Sequence, residues 1–501
     1  MNTINKWSIA LALLVALTGI ATERVHAQTF TTIHTFDGSD GAYPAAPLIQ
    51  ATDGSLYGTA QAGGARGDGT VFKITTSGTL TTVYSFCEQP SGNSYCLDGV
   101  SPAAPVIQAT NGKFYGFTDN GGANCETNQS CGTVFALTPN GELTTLYSFC
   151  SSGACANGEF TGATLIQAAN GEFYGTTSNG GANGDGSVFK ITPEGVLTTD
   201  YSFNNSTNGA NPAAGLVQAT NGFLYGTTGN GPEPTNGTVF KITENGMLTT
   251  LFGFNDEFAP TPDATLIQAN DGNLYGSTQS GGSNGGGTIF KITPSGKLTT
   301  IYNFCSVNNN GTCLDGARPW TALTQGSDGD FYGVTVNGGT GSGLWCPSGG
   351  CGTIFKITPS GNLTTLHNFC VQTIVDAICI DGDNVVGLMQ ATDGNFYGVT
   401  NFGGPNTNNN YGTVYRLSVG LGPFVALQTA IGREGVTVGI LGTNLTGSTG
   451  VTFNGTPATF TVNSTGTAIT ATVPTGATTG TVTVTTPNGV LSSNKRYTVF
   501  E

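Results

Sequence analysis

Four aspartates, Asp40, Asp98, Asp315 and Asp381, share one local setting: each is followed by Gly, and Asn157 and Asn208 take the same place elsewhere. In the copies that end at Pro44, Pro102, Pro212 and Pro319, a Pro follows three residues after that Gly. Such a pattern supports two readings. One is an Asx-type turn, in which the side chain bonds nearby backbone while Gly and Pro fix the path of the chain. The other is a rim of carboxylates offering oxygen ligands to Ca2+, with Asp40, Asp98, Asp315 and Asp381 as the metal set. A second constellation surrounds the Trp residues. Trp320 closes the string Asp315-Gly-Ala-Arg318-Pro, and Trp345 stands directly before Cys346. An indole plate beside Arg318 and Asp315 has the chemistry to stack on a sugar ring and bind its hydroxyls. The same two Trp side chains can instead pack on local disulfides.

Other chemistry is short of parts. The chain has three His: His26, His34 and His367. His26 falls in an N-terminal leader, and the other two replace an aromatic residue of a repeated framework. A Ser-His-Asp arrangement or a His-based metal centre is therefore not expected. Lys73, Lys190, Lys241, Lys291 and Lys356, with Arg416, recur at one position of a repeat, which points to a structural role, solvated or paired between repeats. Gln50, Gln108, Gln167, Gln218, Gln268, Gln325 and Gln390 recur likewise. They either line a channel or satisfy backbone groups of neighbouring repeats.

The twelve Cys fall into close pairs: Cys87/Cys96, Cys125/Cys131, Cys150/Cys155, Cys305/Cys313, Cys346/Cys351 and Cys370/Cys379. Their variable spacing, with no CxxC knuckle, favours local disulfides over zinc sites. That usage fits an oxidising compartment. Residues 1–27 read as a signal peptide, with Lys6 ahead of an apolar stretch at 9–20 and an A-x-A-like site at Val25-His26-Ala27. The stretch is too short to span a bilayer, and no other run suggests a transmembrane segment. The expected localisation is secreted or cell-surface. A net charge of −15 with few Lys and Arg excludes nucleic acid as a partner.

The elements that hold these residues come from internal repetition. The string LIQANDGNLYGST from Leu266, then GTIFKITPSGKLTTIYNF from Gly287, is one copy of seven. The Tyr-Gly pair recurs at Tyr57, Tyr115, Tyr174, Tyr225, Tyr275, Tyr332 and Tyr397. Each copy predicts four short strands, here called a (LIQA), b (NLYGT), c (GTVFKIT) and d (LTTLYSF). Asp-Gly or Asn-Gly joins a to b, and a short Gly-containing turn joins c to d, so both connections are tight hairpins. The b–c and d–a connections are long and variable, and hold every Cys pair. In an up-and-down sheet these long loops share one face, which is where function is expected. The chain opens with a lone d strand, TFTTIHTF from Thr29, and the repeats end at Ser418 on a c strand without its partner. Joining the two predicts an all-β fold: a seven-bladed β-propeller of four-stranded blades over residues 28–419, closed by the N-terminal strand.

This repeat string resembles the tandem-repeat family called GloVer, found in choice-of-anchor proteins of bacterial surfaces and secretions. The resemblance covers residues 29–418. It implies export and a propeller-like fold, and it implies no enzymatic activity. No C-terminal sorting anchor is recognisable. From Pro423 the composition shifts to Thr, Val and Gly. The strings GVTVGILGTNL from Gly435 and VTFNGTPA from Val451, with GTVTV from Gly480, resemble an IPT/TIG domain. That resemblance implies a C-terminal Ig-like β-sandwich over residues 423–501, used for spacing or adhesion.

The expected function is that of a monomeric, non-enzymatic binding or adhesion protein. It would recognise a polysaccharide, an envelope component or a surface protein through the long-loop face, with no cofactor other than the Ca2+ considered above. The alternatives are an extracellular carbohydrate-active hydrolase or lyase, which needs paired carboxylates in a pocket, and a passive structural surface protein.

Overall fold

The computed structural model describes residues 28–500 apart from 90–95, 124–130, 151–154, 156–157, 159–162, 256–260, 344–345, 347–348, 372–378 and 406–409. The leader, Trp345 and Cys125 lie outside the described residues. The fold is all-β, and no helix is long and apolar enough to cross a membrane.

Each repeat folds as a four-stranded antiparallel sheet in the order a-b-c-d. In the first repeat the strands are Ile49–Gln50, Leu56–Ala60, Thr70–Ile74 and Leu80–Ser85. Five more copies follow the same plan, giving a propeller-like series. The seventh sheet takes Asp383–Gln390, Phe396–Phe402 and Thr413–Ser418 from the end of the series and Thr29–Thr35 from the start of the chain. The N-terminal strand pairs antiparallel with the last, Thr32 opposite Tyr415. Its register shifts between Thr32 and His34, so Ile33 is an extra residue, just as Val83 is in the d strand of repeat 1. The bulge has a tertiary use. Gly78 of the first c–d turn, at φ +98°, sits so close to the Ile33 carbonyl that a β-carbon would come within 2.2 Å of it. Only Gly fits that approach.

Burial explains why the sheets join. Strand b is buried along its whole length in the first six repeats and all but its last residue in the seventh, and c nearly so, because both faces meet a neighbouring sheet. Seven apolar clusters lie between consecutive sheets. Tyr57, Val71 and Phe86 of repeat 1 meet Phe114 and Phe135 of repeat 2. The series comes back to its start, where Leu48, Phe72 and Ile74 of repeat 1 meet Val386, Tyr397 and Val414 of the seventh sheet.

The recurrent polar residues complete these joints. The turn residue of a–b bonds the strand-b Tyr hydroxyl in every repeat, from Tyr57 with Asp53 (3.0 Å) to Tyr397 with Asp393 (2.8 Å). The strand-a Gln accepts a backbone N–H from the preceding repeat: Thr52 N–H to Gln108 Oε1 at 2.8 Å, Thr110 N–H to Gln167 at 2.9 Å, and so on round to Thr392 N–H on Gln50 at 2.9 Å. The Gln side chains therefore satisfy backbone between neighbours. Where the recurrent Lys makes an ion pair, its partner lies in its own sheet: Lys73 with Asp53 at 2.7 Å and Lys356 with Asp330 at 2.7 Å, while Lys241 lies over the Phe223 ring. The cause is the hairpin register, which sets Lys73 opposite Tyr57, whose hydroxyl already reaches Asp53.

Residues 426–500 form two more sheets, one of four strands and one of five. They share a core of Val438, Ile440, Val451, Phe453, Ile469, Val482, Val484 and Tyr497. This segment lies against the short a–b turns of the repeats. Thr467 Oγ1 donates to the Thr52 carbonyl at 2.7 Å, Asn270 donates to the Asn494 carbonyl at 2.8 Å, and the Thr392 and Thr443 hydroxyls bond at 2.9 Å. Cavities of about 330 and 570 Å3 remain between the two parts. Residues 426–500 thus lie over the short-turn face.

Candidate functional site

The d–a loops bring the repeated aspartates back onto their own d strands. Asp98 is fully buried and accepts from the Tyr84 hydroxyl (2.8 Å) and from the backbone N–H groups of Glu88 (3.0 Å) and Gln89 (3.3 Å). Asp315 does the same with Tyr302 (2.7 Å), Ser306 and Val307. In two repeats His replaces the Tyr and keeps the bond: His34 to Asp40 at 2.7 Å, and His367 to Asp381 at 2.9 Å. Asn208, in the same place, donates to the Tyr201 hydroxyl. These side chains fix the loop in the manner of Asx turns. Among the described residues, the groups of three or more ligand-type side chains that come together are Cys346, Cys351, Cys370 and Cys379, and Asp68 with Cys87 and Cys96. Neither unites Asp40, Asp98, Asp315 and Asp381.

The sulfurs are paired. Disulfides join Cys87–Cys96, Cys150–Cys155, Cys305–Cys313, Cys346–Cys351 and Cys370–Cys379. The pair Cys125/Cys131 lies outside the described residues through Cys125, while Cys131 is buried.

Two residues beyond the loop Gly, the chain turns through a left-handed conformation at Tyr43, Ser101, Asn211, Arg318 and Asn384, with φ between 52° and 58°. This region is costly for residues with a β-carbon. The backbone bonds that hold it recur: Gln61 N–H to the Tyr43 carbonyl, Asp119 N–H to Ser101, and Val336 N–H to Arg318. In repeat 5 the same carbonyl bond is made by Thr261, which is not left-handed, and the side chains differ from one repeat to the next. Arg318 sends Nη2 to Gln279 Oε1 at 3.2 Å.

Just inside this ring, the residues that lead into strand a enclose a cavity of about 380 Å3 to which all seven sheets contribute. Its wall is Gly, Ala, Pro, Thr, Val, Leu and Ile, together with one aromatic residue, Trp320, and one charged residue, Asp263. Trp320 is 40% exposed and is the one aromatic among the large exposed apolar side chains of the described residues. Asp263 is the single charged residue of the lining. Burial raises its carboxyl above the usual range, and the Thr261 hydroxyl bonded to it draws it partly back. Its Oδ1 lies over Gly229, where a β-carbon would come within 3.0 Å. Asp315 belongs to the Tyr302 network and is absent from this lining. Trp320, singled out by its sequence setting, lines this cavity, and so does Asp263, which the sequence did not single out.

Two further carboxylates, one buried and one half-buried, make no ion pair among the described residues. Asp383 is 2% exposed, and neither of its oxygens has a hydrogen-bond partner. Burial, with Asp381 adding repulsion, raises it to about 6. Burial alone raises Asp119 to about 6.

The sequence profile of the Gloeobacter/Verrucomicrobia repeat matches residues 19–164, 126–344 and 261–469 in tandem. The chain belongs to this repeat family. Aligning its Gloeobacter/Verrucomicrobia repeats on the strand-a Gln shows why the cavity has two unlike neighbours. Five residues before the Gln stand Ala45, Ala103, Gly162, Ala213, Asp263, Trp320 and Val385. Repeats 5 and 6 therefore depart from a small or aliphatic residue side by side.

A search of curated proteins finds no match. Among solved structures, a streptogramin B lyase aligns at 18% identity over 78% of this chain and 97% of its own, with a TM-score of 0.49. A fungal alcohol oxidase of the AA5 family in complex with copper aligns at 11% identity over 94% and 99%, with a TM-score of 0.46. A puromycin hydrolase aligns at 13% identity over 81% of this chain and 59% of its own, with a TM-score of 0.45. Likenesses at this level carry no inference about activity.

Proposed function

We propose that this chain is a non-enzymatic extracellular or cell-surface binding protein that takes a glycan at the axial cavity of its long-loop face. In this reading residues 28–419 form a closed seven-bladed propeller, and residues 423–501 form an Ig-like sandwich of the IPT/TIG type. Closure is supported by the cycle of Gln bonds that ends with Thr392 on Gln50. The sandwich is supported by two sheets around one core. Export of the chain is supported by the five disulfides.

One observation carries the binding reading: the cavity is lined by small and aliphatic residues and Thr, to which adjacent repeats add the Trp320 plate and the Asp263 carboxylate. Its volume lies in the range of small-molecule sites, and an aromatic plate with one polar anchor is how sugars are held. A hydrolase of the usual kind needs two carboxylates flanking the bond, and this lining offers one among the described residues. The aspartates Asp40, Asp98, Asp315 and Asp381 act as loop staples, so millimolar calcium is expected to leave the melting temperature unchanged.

The test is retention of the oxidised protein on a glycan array, with Trp320→Ala and Trp345→Ala alongside. Loss of retention in Trp320→Ala supports the site. Retention unchanged in both variants removes it.

A further inference from the structure

We infer that the ligand of the axial cavity is a sugar carrying a protonated amine, its apolar ring face on the Trp320 indole and its ammonium on the Asp263 carboxylate. This rests on the binding reading above and sharpens it by giving the ligand a charge. The first support is the state of Asp263. Among the described residues it makes no ion pair, and the cavity lining holds no Lys, Arg or His. The carboxylate lies in a wall of Ala, Pro and Thr, with the Thr261 hydroxyl as its bonded neighbour. A charge held in such a wall is costly without a partner. An ammonium arriving with the ligand supplies one, and a neutral sugar does not.

The second support is placement. Asp263 and Trp320 occupy the same position of adjacent repeats, where repeats 1, 2 and 4 have Ala. Both therefore face the same cavity from neighbouring sheets. Neither is needed by the scaffold, since Ala45, Ala103 and Ala213 serve it as well. The substitution at Asp263 is matched across the sheet boundary by Gly229, which leaves the carboxylate room where the other repeats carry Gln61, Asp119, Ser178, Gln279, Val336 or Asn401. An indole face also attracts a cation directly. The third support is the field of the whole chain: a net charge of −15 draws cationic ligands and repels acidic glycans.

The experiment compares glucosamine oligomers, fully deacetylated, with N-acetylglucosamine oligomers of equal length, by titration calorimetry at low salt on the oxidised full chain. The deacetylated oligomer is expected to bind at least ~10-fold more tightly. Asp263→Ala is expected to erase that preference, and Trp320→Ala to abolish binding of both. Each variant restores the residue of other repeats, so an unchanged melting temperature verifies the fold. Equal affinity for the two oligomers, still dependent on Trp320, overturns the amine inference and leaves the binding reading standing. A preference that survives Asp263→Ala also overturns it. Binding of neither oligomer overturns it as well, and the glycan array then decides whether the broader reading falls too.

Discussion

The two faces of the repeat body obey different rules. On the short-turn face each repeat makes the same bonds: an Asp or Asn to the strand-b Tyr, and a Gln to the neighbour's backbone. That face is then covered by residues 426–500. On the long-loop face five repeats share a left-handed residue, but the side chain it presents changes from Tyr43 to Ser101, Asn211, Arg318 and Asn384. The contrast separates what the scaffold requires from what it leaves free. A residue that recurs is answering a geometric demand. A residue that departs from its register, as Asp263 and Trp320 do, answers something else.

Substitutions can break this contrast or sharpen it. The largest effect is expected at the joints: Phe72→Ala empties a fully buried position between the first and seventh sheets and should cost about 3–5 kcal/mol, read by denaturant unfolding. Asp98→Ala comes next at about 3 kcal/mol, because it strands the Tyr84 hydroxyl and two backbone N–H groups. If it cost nothing, the loop staple would be no staple.

The buried acids give a pH test. Asp383 and Asp119 titrate near 6 in the folded chain, above the ordinary carboxyl value of 3.8. The folded state holds these protons more tightly than the unfolded one, so the two groups lower stability as pH rises from about 4 through 6, with no further loss above. Asp383→Asn should flatten that slope and stabilise the chain at pH 7 by up to about 3 kcal/mol. Melting curves at pH 4, 6 and 8 would show it. Gln167→Ala, which frees one backbone N–H, should cost about 1 kcal/mol. At the small end, Trp320→Ala and Asp263→Ala should each shift stability by less than ~0.5 kcal/mol while changing ligand retention. A large loss of stability at either would return them to the scaffold.

Much of the fold was legible because hairpin turns leave chemical marks. Asp-Gly and Asn-Gly between short apolar strands announced each a–b connection, and the unpaired d-type string at Thr29 announced its late partner. The place of His34 and His367 was legible too, since imidazole keeps the bond that Tyr makes. The docking of residues 426–500 left no mark. It depends on single bonds from Thr467, Thr443 and Asn270 to backbone or hydroxyl groups, and such residues are ordinary anywhere on a surface. The site was half legible. A rare Trp stands out in composition, but Asp263 is one acid among many, visible only once the repeats are aligned on the strand-a Gln. Asp315 was attractive because it sits near Trp320 in the sequence, and burial in the Tyr302 network is what the sequence could not display. Trp345 lies outside the described residues.

The pairing of the first strand with the last has a consequence for how the molecule comes into being. Residues 29–35 have no sheet to join until residues 413–418 exist, so the earliest part of the body stays open while almost all of the rest is made. Closing so long a loop is slow, and its entropy must be met before the final seam offers any contact in return. Until then the edge of the Thr413–Ser418 strand and the apolar flank of repeat 1 stay bare together. A premature stop anywhere upstream of that strand would leave the first strand without its sheet and the flank of repeat 1 uncovered.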